Sequence, residues 1–395
     1  MESHLIRAGS ELEVQITSQA DGRILNIAEN IQEEASAIKL DLEPGNSTLE
    51  INTEPHDSAS EIGEDLQKTA KILIEELSRR GAGALCSTVI AEDEVIEPRN
   101  QPTYVNQRQA VIPPARYEVL YDHIGIHTHV SRTFDPSTDA RIMNLFTASH
   151  PISIAAWSSS PIWRGVNHRT NYRLSAIRAA AHRFQPYLTG LHKYMDSTDE
   201  QEERQKKWLE QRRAFYARTN TDPEIRIERL GGIVRLRRDT IEYRGADTNT
   251  VPAAEAEAAF RLGLARAAVE LKQEPTNNTY LSIRNGTVFL PAHGNVLWRT
   301  KRAMKHVPEL EIREYSNPFI QLAREFLDTQ DQEALLKLED AVSGNTLGAA
   351  IMRYANRLGP DKPGYWGSEK GREIQRAVSQ VFEDSLFEVN YGALN

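Results

Sequence analysis

The sequence predicts an α+β protein with an antiparallel sheet, on three observations. Several short stretches alternate apolar and polar residues with a period of two, the mark of a half-buried strand. Longer stretches repeat apolar residues at helical spacing. The two kinds do not follow one another in the strand–helix–strand order that builds a parallel sheet.

Residues 10–17, SELEVQIT, turn Leu12, Val14 and Ile16 one way and Glu11, Glu13 and Gln15 the other. Residues 48–54 do the same, with Leu49 and Ile51 opposite Glu50, Asn52 and Glu54. A helix is expected over 60–80, from Ile62, Leu66, Leu73 and Leu77, with Gly81 as its stop. Residues 83–90 form a further strand, and Cys86 within it is a small core residue. From Glu92 to Tyr117 the chain is polar and carries Pro98, Pro102, Pro113 and Pro114, which predicts a long loop. In 123–130, HIGIHTHV, His123, His127 and His129 share one strand face while Ile124, Ile126 and Val130 share the other.

Pro136 and Ser137 open a helix with Ile142, Leu145 and Phe146 on its buried side, and a second helix is expected over 150–159. Residues 198–218, with Trp208, Phe215 and Tyr216, predict a solvated, charged helix. Residues 233–244, IVRLRRDTIEYR, predict strand or hairpin, and Pro252 opens an alanine-rich helix to about Lys272. Further helices are expected over 318–328, 331–341 and 369–388, with 358–367 as a loop.

A net charge of −9 argues against a dedicated nucleic-acid binder, which carries a basic surplus. The single cysteine excludes an intrachain disulfide and a cysteine-based zinc site. There is no basic-then-apolar leader pattern and no apolar run of membrane length, so the expected compartment is the cytoplasm, with no membrane partner.

The chemistry lies on the polar strand faces. Glu11 and Glu13, two residues apart, have Cα atoms about 6.5–7 Å apart on one side, so the pair can serve two adjacent cations. Glu50 points away from Leu49 and Ile51, and the turn PGNS (44–47) can fold Glu43 back towards it. Glu242 and Arg244 share a face opposite Ile241 and Tyr243. Each feature alone has a plain explanation, a half-exposed sheet or a surface ion pair. Together, carboxylates with a neutral imidazole suit Mg²⁺ or Mn²⁺. An arginine two residues from a carboxylate ligand suits a phosphate bound to that metal. A ligating histidine must be neutral, so metal affinity is expected to fall as pH drops through the imidazole range. Neither a phosphate loop nor a dinucleotide fingerprint is present, so metals and arginines would have to hold the phosphates of ATP.

GSELEVQI (9–16), Glu43 and Glu50 in EPGNSTLEINTEP (43–55), GIHTHVS (125–131), SSSPIWRG (158–165), NYR (171–173) and IEYRGAD (241–247) occur in this order. Together they resemble the glutamate–cysteine ligase family, in particular its type 2, the bacterial carboxylate–amine ligase branch. The resemblance covers roughly residues 5–305. It implies a curved antiparallel sheet of the glutamine synthetase-like type with flanking helices. It also implies a catalytic domain over 1–330, leaving 331–395 as a helical extension packed on it. Glu13, Glu43 and Glu50 would hold one metal, and Glu11, His127 and Glu242 a second, with two or three Mg²⁺ (or Mn²⁺) ions in all.

Arg244 would contact the transferred phosphoryl group of ATP. His129 would be an outer neighbour or nucleotide contact, and His123 structural. Tyr172 and Arg173 match a serine–tyrosine–arginine element that pairs with a substrate carboxylate, although Asn171 stands in place of the serine. HGNVLWRTKR (293–302) loosely matches a family stretch, which makes Arg299 and Arg302 substrate candidates. The implied reaction joins an amino-acid carboxylate, glutamate by analogy, to cysteine or another amine through an acyl phosphate. The partners would be small-molecule substrates, with room for a homo-oligomer. Three rivals remain: a metal-dependent hydrolase built on His-x-His, a catalytically inactive binding relative, and phosphotransfer to a guanidine, the chemistry of a neighbouring branch of the superfamily.

Overall fold

One long strand organises the sheet. In the computed structural model β1 (Ala8–Ser18) pairs along one edge with β3 (Thr48–Asn52), and β3 pairs with β2 (Leu40–Leu42). Along its other edge β1 pairs first with β5 (Gly125–Ser131) and then with β4 (Ala82–Leu85). The hairpin of β8 (Val234–Leu236) and β9 (Thr240–Asp247) extends the sheet beyond β5. All of these pairings are antiparallel, as expected. The structure describes residues 6–35, 38–99, 122–168, 172–173, 190–203, 206–207, 210, 232–304 and 309–394. Most of the expected 92–117 loop, with Pro102, Pro113 and Pro114, lies outside them. So do Asn171 and most of the expected 198–218 helix, with Trp208, Phe215 and Tyr216.

The alternation has the expected consequence. Leu12, Val14, Ile16, Leu49, Ile51, Ile126, Val130, Ile241 and Tyr243 are fully buried in one core. At roughly 25 cal/mol per Å² of apolar surface, each contributes about 1.5–3 kcal/mol. Helices α2 (Ala59–Ser78), α3 (Pro136–Ala156) and α4 (Val251–Glu270) pack against this side of the sheet. The short α1 (Ala28–Glu34) lies near β2 and β3. Helix α2 carries Ile62, Leu66, Leu73 and Leu77 inward. A Ser58–Glu61 capping box starts it, and Gly81 follows its end at φ +66°.

The expected break near residue 150 does not occur. Helix α3 runs through Pro151 to Ala156 as one element. Nearly every residue from Thr138 to Ala156 is buried, and that burial offsets the cost of about 3 kcal/mol for an internal proline. Pro318 likewise lies inside α6 (Glu309–Glu325) rather than opening it. Unforeseen are the small sheet of β10 (Lys272–Pro275), β11 (Ser282–Arg284) and β12 (Thr287–Leu290), and helix α5 (His293–Ala303). The strands β6 (Ile162–Trp163) and β7 (Val166–Asn167) form a minimal hairpin.

The centre of α4 is charged yet fully buried. Arg261 Nε donates to Glu257 Oε1 at 2.7 Å, and Trp157 Nε1 donates to Glu257 Oε2 at 2.6 Å. The Arg261 guanidinium lies 3.5 Å from the centroid of the Tyr243 ring. Breaking such a pair on one side would leave an uncompensated charge. Gly263 lets α4 approach α6: a Cβ there would come within 2.5 Å of the Ala323 carbonyl oxygen.

The C-terminal helices are α7 (Thr329–Val342), the unforeseen α8 (Leu347–Leu358) and α9 (Ser368–Asp384). They share the core through Leu335, Leu338, Ile351, Val378 and Phe382. Asp331 accepts the Ser60 backbone N–H at 3.0 Å at the start of α2, and Gln375 Oε1 accepts that of Ala91 at 3.1 Å. Cys86 is buried, and its thiol is pushed up to about 12, which suits a core residue. Among the described residues no helix is long and apolar enough to cross a membrane.

Candidate active site

The face of the sheet away from α2, α3 and α4 carries the ionisable side chains, and strand register decides which of them meet. Glu13 stands directly opposite Glu50, Glu11 opposite His127, and His129 opposite Glu242. Directly opposed side chains lie about 4.5–5.5 Å apart at Cβ. Glu43 sits in the turn between β2 and β3, which brings it beside Glu50.

Three overlapping sets of potential ligand atoms result, each within 4.8 Å: Glu13, Glu43 and Glu50; Glu11, Glu50 and His127; Glu11, His129 and Glu242. The first is the set expected for one metal. The second expected set, Glu11 with His127 and Glu242, is divided between the other two. In the β5–β9 register, which carries an irregularity between Ile126 and Thr128, His129 rather than His127 stands opposite Glu242. His129, expected as an outer neighbour, thereby joins a ligand set. His123 joins none. It precedes β5, is buried, and meets the Tyr172 ring edge-on at 5.7 Å.

Hydrogen bonds set the histidine tautomer. His127 Nδ1 lies 2.7 Å from Glu11 Oε2, and His129 Nε2 lies 2.9 Å from Glu11 Oε1. Burial, followed by the Arg244 charge, depresses His127 to about 4, so it is neutral at pH 7. Its Nδ1–H then donates to Glu11. The Nε2 lone pair, buried and without a partner among the described residues, faces Glu13 at 3.8 Å. Burial alone would raise Glu11, but the hydrogen bonds from the two histidines outweigh it and hold its carboxyl well below the usual range.

The acidic set behaves in the opposite way. Burial and the Glu43 charge push Glu13 up to about 8. Burial and the charges of Glu11, Glu43 and Glu13 push Glu50 up to about 11. Burial also raises Glu43, which shares a hydrogen bond with Glu50. Glu242 is buried too, yet Arg244, Arg235, His129 and Arg237 together bring it down to about 2. Arg244 Nη1 donates to Glu242 Oε1 at 3.0 Å.

A pH dependence follows. Without metal, Glu50 and most of Glu13 are protonated at pH 7, and a dication must displace those protons. Metal affinity should therefore rise with pH between about 6 and 8, with proton release that calorimetry in two buffers will measure. The imidazole of His127 is already neutral there, so the carboxyls, not the histidine, set the slope. The stability sign is fixed as well. A carboxyl raised from 4.5 to about 8 stabilises the metal-free fold below 4.5 and loses that contribution as pH climbs through 8. Melting of metal-free protein should fall over that window, and added Mg²⁺ should flatten the fall.

The substrate candidates divide. Arg173 is buried beside the acids, and its Nη1 donates to the carbonyls of Ala246 at 3.1 Å and Arg244 at 3.4 Å. Gly125 makes room for it, since a Cβ there would lie 2.3 Å from Arg173 Nη2. Tyr172 stacks on Trp163 at 4.7 Å and lies 4.0 Å from the His168 ring. Arg299 and Arg302 are not brought to this face. Helix α5 packs on α3, behind the sheet, where Arg299 sits over Tyr315 and Tyr280 while Arg302 pairs with Glu311.

Two arginines were missed. Arg235 stands opposite Glu242, and Arg237 Nε lies 3.3 Å from Glu242 Oε2. The signal was present in R-L-R (235–237), which alternates in phase with E-Y-R (242–244) across a short turn.

A family model described as glutamate-cysteine ligase family 2 matches residues 7–278. No curated protein matches the sequence. Among solved structures, the glutamate–cysteine ligase of Francisella tularensis in complex with AMP superposes with a TM-score of 0.64 at 12% identity, over 98% of this chain and 91% of that one. A bifunctional glutathione synthetase from Pasteurella multocida superposes with a TM-score of 0.60 at 11% identity, over 98% of this chain and 53% of that one. At such identities the superpositions establish a shared fold, and the family match covers well over half of the sequence. The chain belongs to glutamate-cysteine ligase family 2 and is an ATP-dependent ligase of that kind.

Proposed function

We propose that this chain joins an amino-acid carboxylate to an amine through an acyl phosphate. A carboxylate oxygen attacks the γ-phosphorus of ATP, and the bond to the bridging oxygen breaks to release ADP. The amine nitrogen then attacks the acyl carbon, phosphate leaves, and the nitrogen gives up a proton. The observation that carries this reading is the set of three overlapping carboxylate–imidazole clusters beside Arg244 on one sheet face.

The donor atoms fit hard dications, Mg²⁺ or Mn²⁺: several carboxylate oxygens and a neutral imidazole whose Nε2 has no other described partner. Glu13, Glu43 and Glu50 would hold one ion, and Glu11 with the histidines and Glu242 would hold one or two more. Bound there, the ions would supply positive charge against the transferring phosphoryl oxygens. Arg244 adds a planar fork aimed at the same oxygens. Arg173, beside Glu13, serves the acyl donor's carboxylate, with Tyr172 next to it. The AMP in the Francisella structure supports ATP as the nucleotide. Glutamate as acyl donor and cysteine or another amine as acceptor follow the family. Residues 331–395 act as a helical extension supporting the catalytic part. Small soluble substrates suit the cytoplasm.

The test is ADP release across a panel of amino acids and amines, with products weighed by mass spectrometry. One amide per ADP is expected. Turnover without ATP would favour the hydrolase rival, and ADP without amide would overturn ligation.

A further inference from the structure

The β8–β9 hairpin carries cationic groups that the reading above does not use. Arg237 Nε engages Glu242 Oε2 at 3.3 Å, and its two Nη groups have no partner among the described residues. On the other oxygen of the same carboxylate sits Arg244 Nη1, at 3.0 Å. Glu242 is 1% exposed, whereas the Arg237 and Arg244 side chains are 33% and 29% exposed. One buried carboxylate thus holds two guanidinium groups whose free edges remain open to a ligand.

The platform beneath them is braced. Arg237 N–H donates to the Thr240 carbonyl at 2.8 Å, closing a tight turn over Arg238 and Asp239. Arg132 Nη1 donates to the carbonyls of Arg237 and Arg238, both at 3.3 Å, while its Nε is anchored at 2.9 Å by the fully buried Asp139. Thr240 Oγ1 meets His129 Nδ1 at 3.1 Å, tying the same turn to the third ligand set. Donors held this rigidly lose little freedom when a ligand arrives.

The face is also polarised. Glu13, Glu43 and Glu50 lie towards β3, and Arg235, Arg237 and Arg244 lie towards β8. A chain of anionic oxo groups reaching from cations at the acidic end would arrive at the arginines.

We infer that Arg237 and Arg244 form a two-armed clamp for the oxo groups of an anionic ligand, with Arg237 the arm beyond the reacting phosphoryl group. The shared ligand chemistry is a phosphate or carboxylate oxygen. The inference rests on the ligase reading only for the ligand's source, the nucleotide's phosphate chain or the acyl donor's carboxylate.

The test uses the full chain as wild type, Arg237→Ala, Arg237→Lys and Arg238→Ala. The last removes the same charge from an exposed neighbour in the turn. Calorimetric titration with magnesium tripolyphosphate, MgADP and L-glutamate reads affinity, and melting curves confirm folding. Arg237→Ala should bind at least one probe about 10–100-fold more weakly, the worth of one charge-assisted hydrogen bond, with Arg237→Lys in between. Arg238→Ala should stay within about twofold. Weakening towards tripolyphosphate and MgADP assigns the arm to the phosphate chain, and weakening towards glutamate alone assigns it to the carboxylate. The clamp is overturned if Arg237→Ala binds every probe as wild type does, if Arg238→Ala weakens binding equally, or if wild type binds none. Failure of the ligase reading would show separately, as absent ADP release by wild type with any amino acid.

Discussion

Glu50→Gln should abolish magnesium-dependent ADP formation while leaving the metal-free protein as stable as before. Glutamine has the shape of a protonated glutamate, and Glu50, raised to about 11, is protonated at pH 7 when no metal is bound. The substitution therefore changes little until a dication arrives. It then removes a ligand shared by two of the three clusters. The loss should exceed the roughly 10–100-fold that follows from disturbing a ligand's outer partners. Glu13→Gln should behave alike, with a smaller share of neutral form at the outset because Glu13 lies near 8. Melting curves with and without Mg²⁺, beside steady-state rates, test the idea. Near-normal activity in both variants at ordinary Mg²⁺ would sink it.

Arg244→Lys should cost about 10²–10³-fold in kcat with little change in the apparent affinity for ATP. The guanidinium reaches Glu242 through Nη1 only, which leaves its planar fork free for two oxygens at once. Lysine keeps the charge but offers a point donor. An interaction that strengthens as charge develops on the transferring group lowers the barrier rather than the dissociation constant. Were Arg244 only a brace for the sheet, Arg244→Ala would lower the melting temperature while the folded fraction kept its turnover.

How far the sequence disclosed all this depends on the kind of information involved. Strand faces were legible because side-chain period is a local property. Leu12, Val14 and Ile16 against Glu11 and Glu13 needed no knowledge of neighbours. The first ligand set was legible for the same reason, helped by the turn that carries Glu43. Register was not legible. Whether His127 or His129 stands opposite Glu242 depends on how two strands more than a hundred residues apart are paired. Pro151 misled because local helix rules cannot weigh the burial of a whole helix. The position of Arg299 and Arg302, on a helix packed against α3, was not legible because a loose motif match does not reveal what a helix packs on. The charged pair inside α4 left no local trace, since Glu257 and Arg261 four apart look the same on a solvated helix.

The reach of β1 has a consequence for synthesis. Glu11 meets His127 across 116 residues, and the third cluster also needs Glu242. At about 5–20 residues per second, the nascent chain carries β1 and its hairpin partners for on the order of tens of seconds before β9 can join. For about the first half of that interval, until β5 is made, the edge of β1 that belongs to it has no mate, and throughout the interval Leu12, Val14 and Ile16 lack the cover of α4. A bare strand edge beside an apolar face is a template for pairing with another chain. Yield of the folded product should thus depend on elongation speed and on holding factors at the ribosome more than on the stability of the finished sheet.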